Sequence, residues 1–278
     1  MHPSIQALIR AALEEDLGTG DVTSKYFIPE AARSKARIIA KEAGMLSGIQ
    51  VAIQVFREVD KGIGVWTDRV DGSSFEIGDV ILEIEGRTRS ILSAERTALN
   101  FLQRLSGIAT TTRRYLQAVQ PHPVKLLDTR KTMPGWRVLE KAAVKDGGGT
   151  NHRMGLYDQV MVKDNHLMAC TKLEDLQAAI DRVRKDRPEI KVQIEAATLE
   201  QVADFLALKG VDMILLDNMD TDDLRRAVQI NEGRVFLEAS GGITMDTIKD
   251  VAATGVDAIS VGALTHSSKA VDLSLEVM

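Results

Sequence analysis

Six short apolar runs in the second half of the chain each end on charged or small residues. They are KLLDTRK (Lys125 to Lys131), QVMVKDNH (Gln159 to His166), VQIEA (Val192 to Ala196), MILLDN (Met213 to Asn218), VFLEASGG (Val235 to Gly242) and AISVGALTH (Ala258 to His266). Val, Ile, Leu and Met follow one another with little alternation, the pattern of parallel strands buried on both faces. Helical periods separate these runs at the spacing of β/α units, with threonines at 171, 198, 221 and 244 before helical segments; Thr171 and Glu174 have the spacing of a capping box. In an α/β barrel the carboxyl ends of the strands share one rim, and catalytic groups collect there. Six units are visible, so the pattern predicts an α/β fold: an incomplete (β/α) barrel.

The first half has a different texture. Ile5, Leu8, Ile9, Ala12 and Leu13 fall on one helical face, and Gly18 is placed to stop that helix. From Ala36 to about Ile91, β-branched runs broken by Gly and Asp (ARIIAKEAG, VWTDRVDG, FEIGDVILEIEG) predict antiparallel strands with tight turns. A helix is expected from about Ser93 to Leu105, carrying Leu99, Leu102 and Leu105 on its apolar face. The GDVILEIEG turn is similar to the hairpins that carry lipoyl or biotinyl groups, but no lysine stands at its tip, which favours a structural β-layer. The division expected is an N-terminal α+β, sandwich-like domain over 1–110 and a barrel domain over 111–267, with residues from about 268 to 278 packing back on the first.

Composition narrows the classes. Of 278 residues, 44% are hydrophobic and 27% charged, as in a soluble globular enzyme, and the net charge of −5 lacks the basic footprint of general nucleic-acid binding. The single cysteine, Cys170, excludes an internal disulfide and a Cys-rich zinc site. The N-terminal residues carry acids and no apolar core, and no run approaches a membrane span, so a cytoplasmic protein without membrane contact is expected.

The charges at the strand ends point to anion chemistry. Arg130, Lys131 and Lys163 close apolar strands, where a cation is costly unless an anion meets it. Arginine grips planar carboxylates with two bonds, so Arg130 and Arg153 suit a substrate with more than one carboxylate. Arg137, Lys141 and Lys145 read as a solvated helical face, and Arg96 reads equally well as a surface salt bridge with Glu95. Glu195 and Asp217 end their strands as acids, fit to hold Mg²⁺ or ribose hydroxyls, although an internal ion pair with Lys131 or Lys163 is the competing reading. Ser240-Gly241-Gly242 and Val261-Gly262-Ala263 place small residues and free amides at the last two strand ends, as a monophosphate cradle requires. His166 and His266 lack partners at metal-ligand spacing and read as structural. A phosphosugar aldolase using Lys131 or Lys163 as a Schiff base, or an anion-binding protein without catalysis, also fits these residues.

Longer stretches settle on one family. TRKTMPGWRVLEKAAVKDGGGTNHR, GLYDQVMVKDNH, LLDNM, LEASGGI and GVDAISVGALTHS, together with EEDLGTGDVTS and ERTALNFLQRLSGIAT, resemble quinolinate phosphoribosyltransferase over nearly the whole chain. The resemblance implies transfer of a phosphoribosyl group from phosphoribosyl pyrophosphate to quinolinate, yielding nicotinate mononucleotide, pyrophosphate and CO₂, a step of NAD synthesis. It implies Mg²⁺ brought with phosphoribosyl pyrophosphate, no organic cofactor, and a homodimer with shared sites in which Arg96 serves the partner's site. It places Arg130, His152 and Arg153 at quinolinate, and Lys131 and Lys163 between the substrates. Glu195 and Asp217 fall at ribose and magnesium, and Ser240, Gly241, Gly242 and Gly262 at the 5′-phosphate. Two departures from the family pattern stand out. Gln193 stands where a second glutamate is frequent, removing a negative charge beside Glu195, and Met133 and Trp136 stand where smaller residues are frequent, with packing changes expected.

Overall fold

The computed structural model describes residues 2–168 and 172–278. The capping box anticipated at Thr171, and Cys170, lie outside the described residues. Twelve strands alternate with eleven helices among those that are described. In chain order these are α1 (Pro3–Leu17), α2 (Val22–Phe27), β1 (Arg33–Ala40), β2 (Gly44–Met45), α3 (Ile49–Val59), β3 (Gly64–Trp66), β4 (Ser74–Phe75), β5 (Val80–Arg87) and α4 (Thr88–Ala118). The second half continues with β6 (Lys125–Leu127), α5 (Arg137–Asp146), β7 (Val160–Val162), α6 (Asp164–Leu167), α7 (Leu173–Asp186), β8 (Val192–Ala196), α8 (Leu199–Ala207) and β9 (Met213–Asp217). It closes with α9 (Thr221–Asn231), β10 (Phe236–Ser240), α10 (Ile248–Ala252), β11 (Ala258–Ser260), α11 (Ala263–His266) and β12 (Leu273–Val277).

The chain forms two compact units. The first comprises residues 1–113, 132–148 and 264–278. Its four-stranded sheet runs β12-β1-β5-β3, and every pairing is antiparallel. Gly18 ends α1 with φ +48°, a left-handed turn that glycine adopts at low cost. Helix α4 is much longer than the Ser93–Leu105 segment anticipated, because nothing in it breaks the i to i+4 ladder. Gly107, in its interior, is required for packing: a Cβ there would sit 2.2 Å from the carbonyl oxygen of Lys269.

Residues 132–148, which lie between strands of the parallel sheet in sequence, belong to this first unit, and their contacts explain why. Trp136 stacks on Phe101 with centroids 4.6 Å apart. Arg104 forms a 2.9 Å ion pair with the fully buried Glu140, whose other oxygen accepts the Met133 N–H. Ser47 donates to Asp146 at 2.6 Å, and Gly147 packs where a Cβ would meet the Ala109 carbonyl at 2.5 Å. Helix α5 therefore buries one side, and Lys141, expected on a solvated face with Arg137 and Lys145, is 1% exposed.

The second unit, residues 114–131 and 149–263, holds the six-stranded sheet β6-β11-β10-β9-β8-β7. All five ladders are parallel. Strand order follows chain order, as around a barrel, except that no ladder joins β6 to β7. Besides its ladder with β11, β6 has an isolated parallel bridge from Leu127 to Thr150 among the described residues. The fold is thus an α/β sheet left open. Between the strands, Thr198 caps α8, accepting the Gln201 N–H while the Gln201 side chain accepts from Thr198. At α9 the cap is Asp220 rather than Thr221, with its carboxylate taking the N–H groups of Asp222 and Asp223. A carboxylate there has both hydrogen-bond geometry and the favourable end of the helix dipole. Thr244 precedes α10 by a turn, its N–H donating to Thr247 Oγ1.

Candidate active site

Eleven of the twelve sequence-predicted site residues fall in the second unit at or near the carboxyl ends of its strands. Arg130 and Lys131 follow β6. His152 and Arg153 follow the Leu127–Thr150 bridge. Lys163 follows β7, Glu195 stands one residue before the end of β8, Asp217 closes β9, and Ser240, Gly241 and Gly242 run out of β10. Gly262 follows β11. The parallel register generates this convergence: Ala196 pairs with Leu216 and Ser240 with Asp217, so neighbouring strands deliver their terminal residues at one level. Arg96 is not among this group. It lies exposed on α4 in the first unit, and no salt bridge to Glu95 forms among the described residues.

Two guanidiniums mark one side of the rim. Burial and the neighbouring Arg130 charge lower the pKa of Arg153, so two like charges are held near each other. The backbone is fastened on both flanks. Asp128, fully buried on the β6 side, accepts from Asn151 Nδ2 at 2.6 Å and from the His152 N–H at 2.8 Å. Arg153 Nη1 donates to the Gln159 carbonyl at 3.3 Å. His152 is itself held: its Nδ1 accepts the Arg153 N–H at 2.7 Å, and its Nε2 lies 3.1 Å from Glu238 Oε2. Because Nδ1 accepts, the proton sits on Nε2 and points at Glu238.

Glu238 was hard to assign from the sequence, and its surroundings now define it. Burial pushes its carboxyl up, but the hydrogen bonds from His152, Ser260 and Gln193 outweigh that and leave it below the ordinary carboxylate range. Gln193 does not reach toward Glu195. Fully buried in β8, it donates to Glu238 Oε2 at 2.8 Å and accepts from Gln159 Nε2 at 2.8 Å. Glu238 and Gln193 are the site residues that sequence reasoning did not assign; the signal was there, in charged or amide side chains placed mid-strand inside apolar runs.

On the opposite side, Lys163 Nζ pairs with Glu195 Oε2, the internal ion pair considered from the sequence. Lys131 is exposed, its N–H donating to Thr129 Oγ1 at 3.1 Å. Asp217 accepts from Asn218 Nδ2 at 2.7 Å. Asn218 adopts φ +54°, one of two non-glycine residues with positive φ among those described. Its N–H donates to the Ser240 carbonyl at 2.9 Å, and its side chain leaves no room at Gly241, where a Cβ would lie 2.2 Å from Asn218 Oδ1. Gly241 and Gly242, with φ +94° and +60°, turn the chain through a backbone region that glycine adopts at low cost. His166 Nδ1 accepts the Lys163 N–H at 3.0 Å, and His266 bonds Ser267, which gives both histidines local structural partners.

Oxygen donors at Glu195 and Asp217 suit Mg²⁺, a hard cation that keeps most of its shell for water or substrate phosphates. Among the described residues no group of three or more His, Cys, Asp or Glu gathers to enclose a metal. Glu195 and Asp217 are the residues whose chemistry fits such an ion.

A parallel sheet whose rim carries two arginines, a paired lysine and carboxylate, and a glycine turn is the arrangement of an α/β enzyme site. Comparison with known proteins narrows the class. The N-terminal domain model of quinolinate phosphoribosyl transferase matches residues 21–106 and the C-terminal domain model matches residues 108–276. The chain is 41% identical to the chloroplastic nicotinate-nucleotide pyrophosphorylase [carboxylating] of Oryza sativa subsp. japonica, covering 99% of this chain and 79% of that protein. It is 39% identical to the probable nicotinate-nucleotide pyrophosphorylase [carboxylating] of Bacillus subtilis, covering 99% and 94%. The solved nicotinate-nucleotide pyrophosphorylase of Francisella tularensis superposes with a TM-score of 0.93 at 39% identity, over 100% of this chain and 98% of that one. The chain belongs to the quinolinate phosphoribosyl transferase family.

Proposed function

We propose that the protein transfers the phosphoribosyl group of phosphoribosyl pyrophosphate to quinolinate with decarboxylation, giving nicotinate mononucleotide, pyrophosphate and CO₂. Family membership over the full chain supports the reaction, and the Arg130–Arg153 pair carries the substrate assignment. Two guanidiniums kept close against their own repulsion are a receptor for an anion, and two carboxylates on one ring match them.

The residues divide the work. Arg130 and Arg153, with His152 behind them, orient the two carboxylates so that the pyridine nitrogen faces C1 of the ribose, an effect of orientation. Lys163 reaches from the quinolinate side toward the ribose side, and Lys131 offers its charge to the phosphates. Glu195 and Asp217 hold the ribose hydroxyls and oppose the positive charge that develops as the C1–oxygen bond breaks and the nitrogen–C1 bond forms. The 5′-phosphate is received by Ser240, Gly241, Gly242 and Gly262. Mg²⁺ bound with the diphosphate would offset its negative charge as it departs. Once the ring nitrogen is quaternary, the adjacent carbon–carboxylate bond breaks, CO₂ leaves, and the electron pair stays on the ring carbon beside the positive nitrogen until it takes a proton.

A homodimer in which Arg96 of each subunit completes the partner's site belongs to the same reading, and the exposure of Arg96 supports it. No described helix is long and apolar enough to cross a membrane; a cytoplasmic location remains part of the proposal.

The deciding experiment supplies quinolinate, phosphoribosyl pyrophosphate and Mg²⁺ to the purified protein and measures CO₂ and pyrophosphate together. Equimolar release supports the assignment. Absence of both, with borohydride trapping of a substrate on a lysine, would replace it by the Schiff-base reading.

A further inference from the structure

One layer beneath the rim, five residues of the second unit close a ring of hydrogen bonds. The His152 Nε2–H points to Glu238 Oε2, and His152 Nδ1 accepts the Arg153 N–H. Arg153 Nη1 donates to the Gln159 carbonyl, Gln159 Nε2 donates to Gln193 Oε1, and Gln193 Nε2 returns to Glu238 Oε2. Gln193 and Glu238 stand on β8 and β10, the strands flanking β9, each two residues before a rim residue (Glu195 and Ser240) and so on the same strand face. Both side chains are fully buried.

We propose that Glu238 and Gln193 are positioning residues for Arg153: they hold it, through His152 and Gln159, where it meets a substrate carboxylate. The inference rests on the reading of Arg153 as a quinolinate-binding residue. Three observations carry it. Arg153 lies between the like charge of Arg130 and the opposite charge of Asp158, and its bonds to His152 Nδ1 and the Gln159 carbonyl attach it at both backbone and side chain. The ring supplies both attachments and ends on a carboxylate that, being buried, stays only because its neighbours donate to it. Every link is also directional. Gln193 must accept from one amide and donate to a carboxylate, which glutamine does and an ionised glutamate does not. The amide at position 193 is thereby explained as a connector inside the sheet.

The test compares four variants by steady-state kinetics and thermal melting of the full chain. Glu238→Leu deletes the acceptor of both neighbours, Gln193→Leu deletes the connector, and Gln193→Glu with Glu238→Gln exchanges the two groups while preserving a donor and an acceptor at each link. Arg153→Ala is the benchmark. Each leucine variant should raise the quinolinate KM about tenfold or more, the scale of one hydrogen bond to a charged group. The KM for phosphoribosyl pyrophosphate should stay near the parent value, although Glu238 is two residues from Ser240, and the exchanged double variant should recover quinolinate affinity. If Glu238→Leu does not fold, Gln193→Leu and the double variant decide. An unchanged quinolinate KM in the folded leucine variants, while Arg153→Ala raises it, overturns the proposal. So does an equal rise in both substrates' KM, which marks general loss of structure. If Arg153→Ala itself leaves the quinolinate KM unchanged, the underlying reading of the site falls instead.

Discussion

Lys163 Nζ lies 2.5 Å from Glu195 Oε2, a contact that joins the ends of β7 and β8. Each group is assigned to a different substrate, and here each is the other's partner. The pair is partly exposed, with 43% of the lysine and 11% of the glutamate side chain accessible, so it separates at modest cost when better partners arrive. Lys163→Ala should lower kcat by about 10²-fold or more, the scale for removing one preorganised charge donor at a reacting centre. Lys163→Arg should not restore it, because a planar guanidinium cannot stand in for a compact ammonium between two substrates. Rapid-mixing kinetics at saturating substrates check this; near-parental turnover in Lys163→Ala would remove the lysine from the reaction.

How much of this was readable beforehand differs by element. The parallel strands and the chemistry at their ends were legible because burial on both faces leaves an apolar run whose terminal charge stands out, as Asp217 does after MILL. The length of α4 was not legible, since its Gly107 looks like a helix breaker until Lys269 is seen packed against it. Lys141 looked solvated because its spacing with Arg137 and Lys145 is that of one helical face, and only the tertiary placement of α5 buries it. Glu238 and Gln193 were visible as polar residues in apolar strands, but their partnership spans 45 residues of sequence and an intervening strand. The exposed Arg96 was the hardest: its local pattern is that of any surface helix, and the role proposed for it rests on family resemblance.

The two guanidiniums should fail in the same way. Arg130→Ala and Arg153→Ala each remove one charged contact to a carboxylate, worth about 1.5–3 kcal/mol. The quinolinate KM should therefore rise by one to two orders of magnitude, with a smaller change for phosphoribosyl pyrophosphate. Isothermal titration with quinolinate separates binding from turnover; unaltered affinity in both variants would place the dicarboxylate elsewhere.

Shared sites predict complementation. Arg96→Ala and Lys163→Ala homodimers should each be nearly inactive. Mixing them under conditions of subunit exchange should restore part of the activity, because one site in each hybrid combines an intact Arg96 with an intact Lys163. Native mass spectrometry reports the exchange; hybrids that form and stay inactive would argue against a site built from two subunits.

At the phosphate side, Gly241→Ala is the informative change. Its φ of +94° already strains any L side chain, and the added methyl carbon would lie 2.2 Å from Asn218 Oδ1. Strain of this kind costs about 1–3 kcal/mol. Asn218 must then move, releasing the 2.7 Å bond that it gives to Asp217. The expected outcome is a lower Tm and a higher KM for phosphoribosyl pyrophosphate, the KM effect partly relieved by Asn218→Gly in the same chain. Calorimetry and initial rates on the single and double variants test this coupling.

Acid groups of the first unit set a separate pH dependence. Burial raises the Asp146 pKa above its ordinary 3.8, and the Ser47 hydroxyl bond only partly opposes that. A carboxyl whose pKa is raised on folding binds its proton more tightly in the folded state, so the folded chain carries more protons than the unfolded one between the two pKa values. Stability from this group is then greatest at acid pH and declines as pH rises from about 3.8 through the raised value. Asp146→Asn keeps an oxygen to accept from Ser47 and removes the charge. Its Tm should exceed the parent's at neutral pH, and the difference should shrink as pH falls toward 4, where the parent carboxyl is increasingly protonated. Thermal melts across that range measure it directly; a Tm for Asp146→Asn below the parent's at pH 7 would mean that the ionised carboxylate is a net stabilising group.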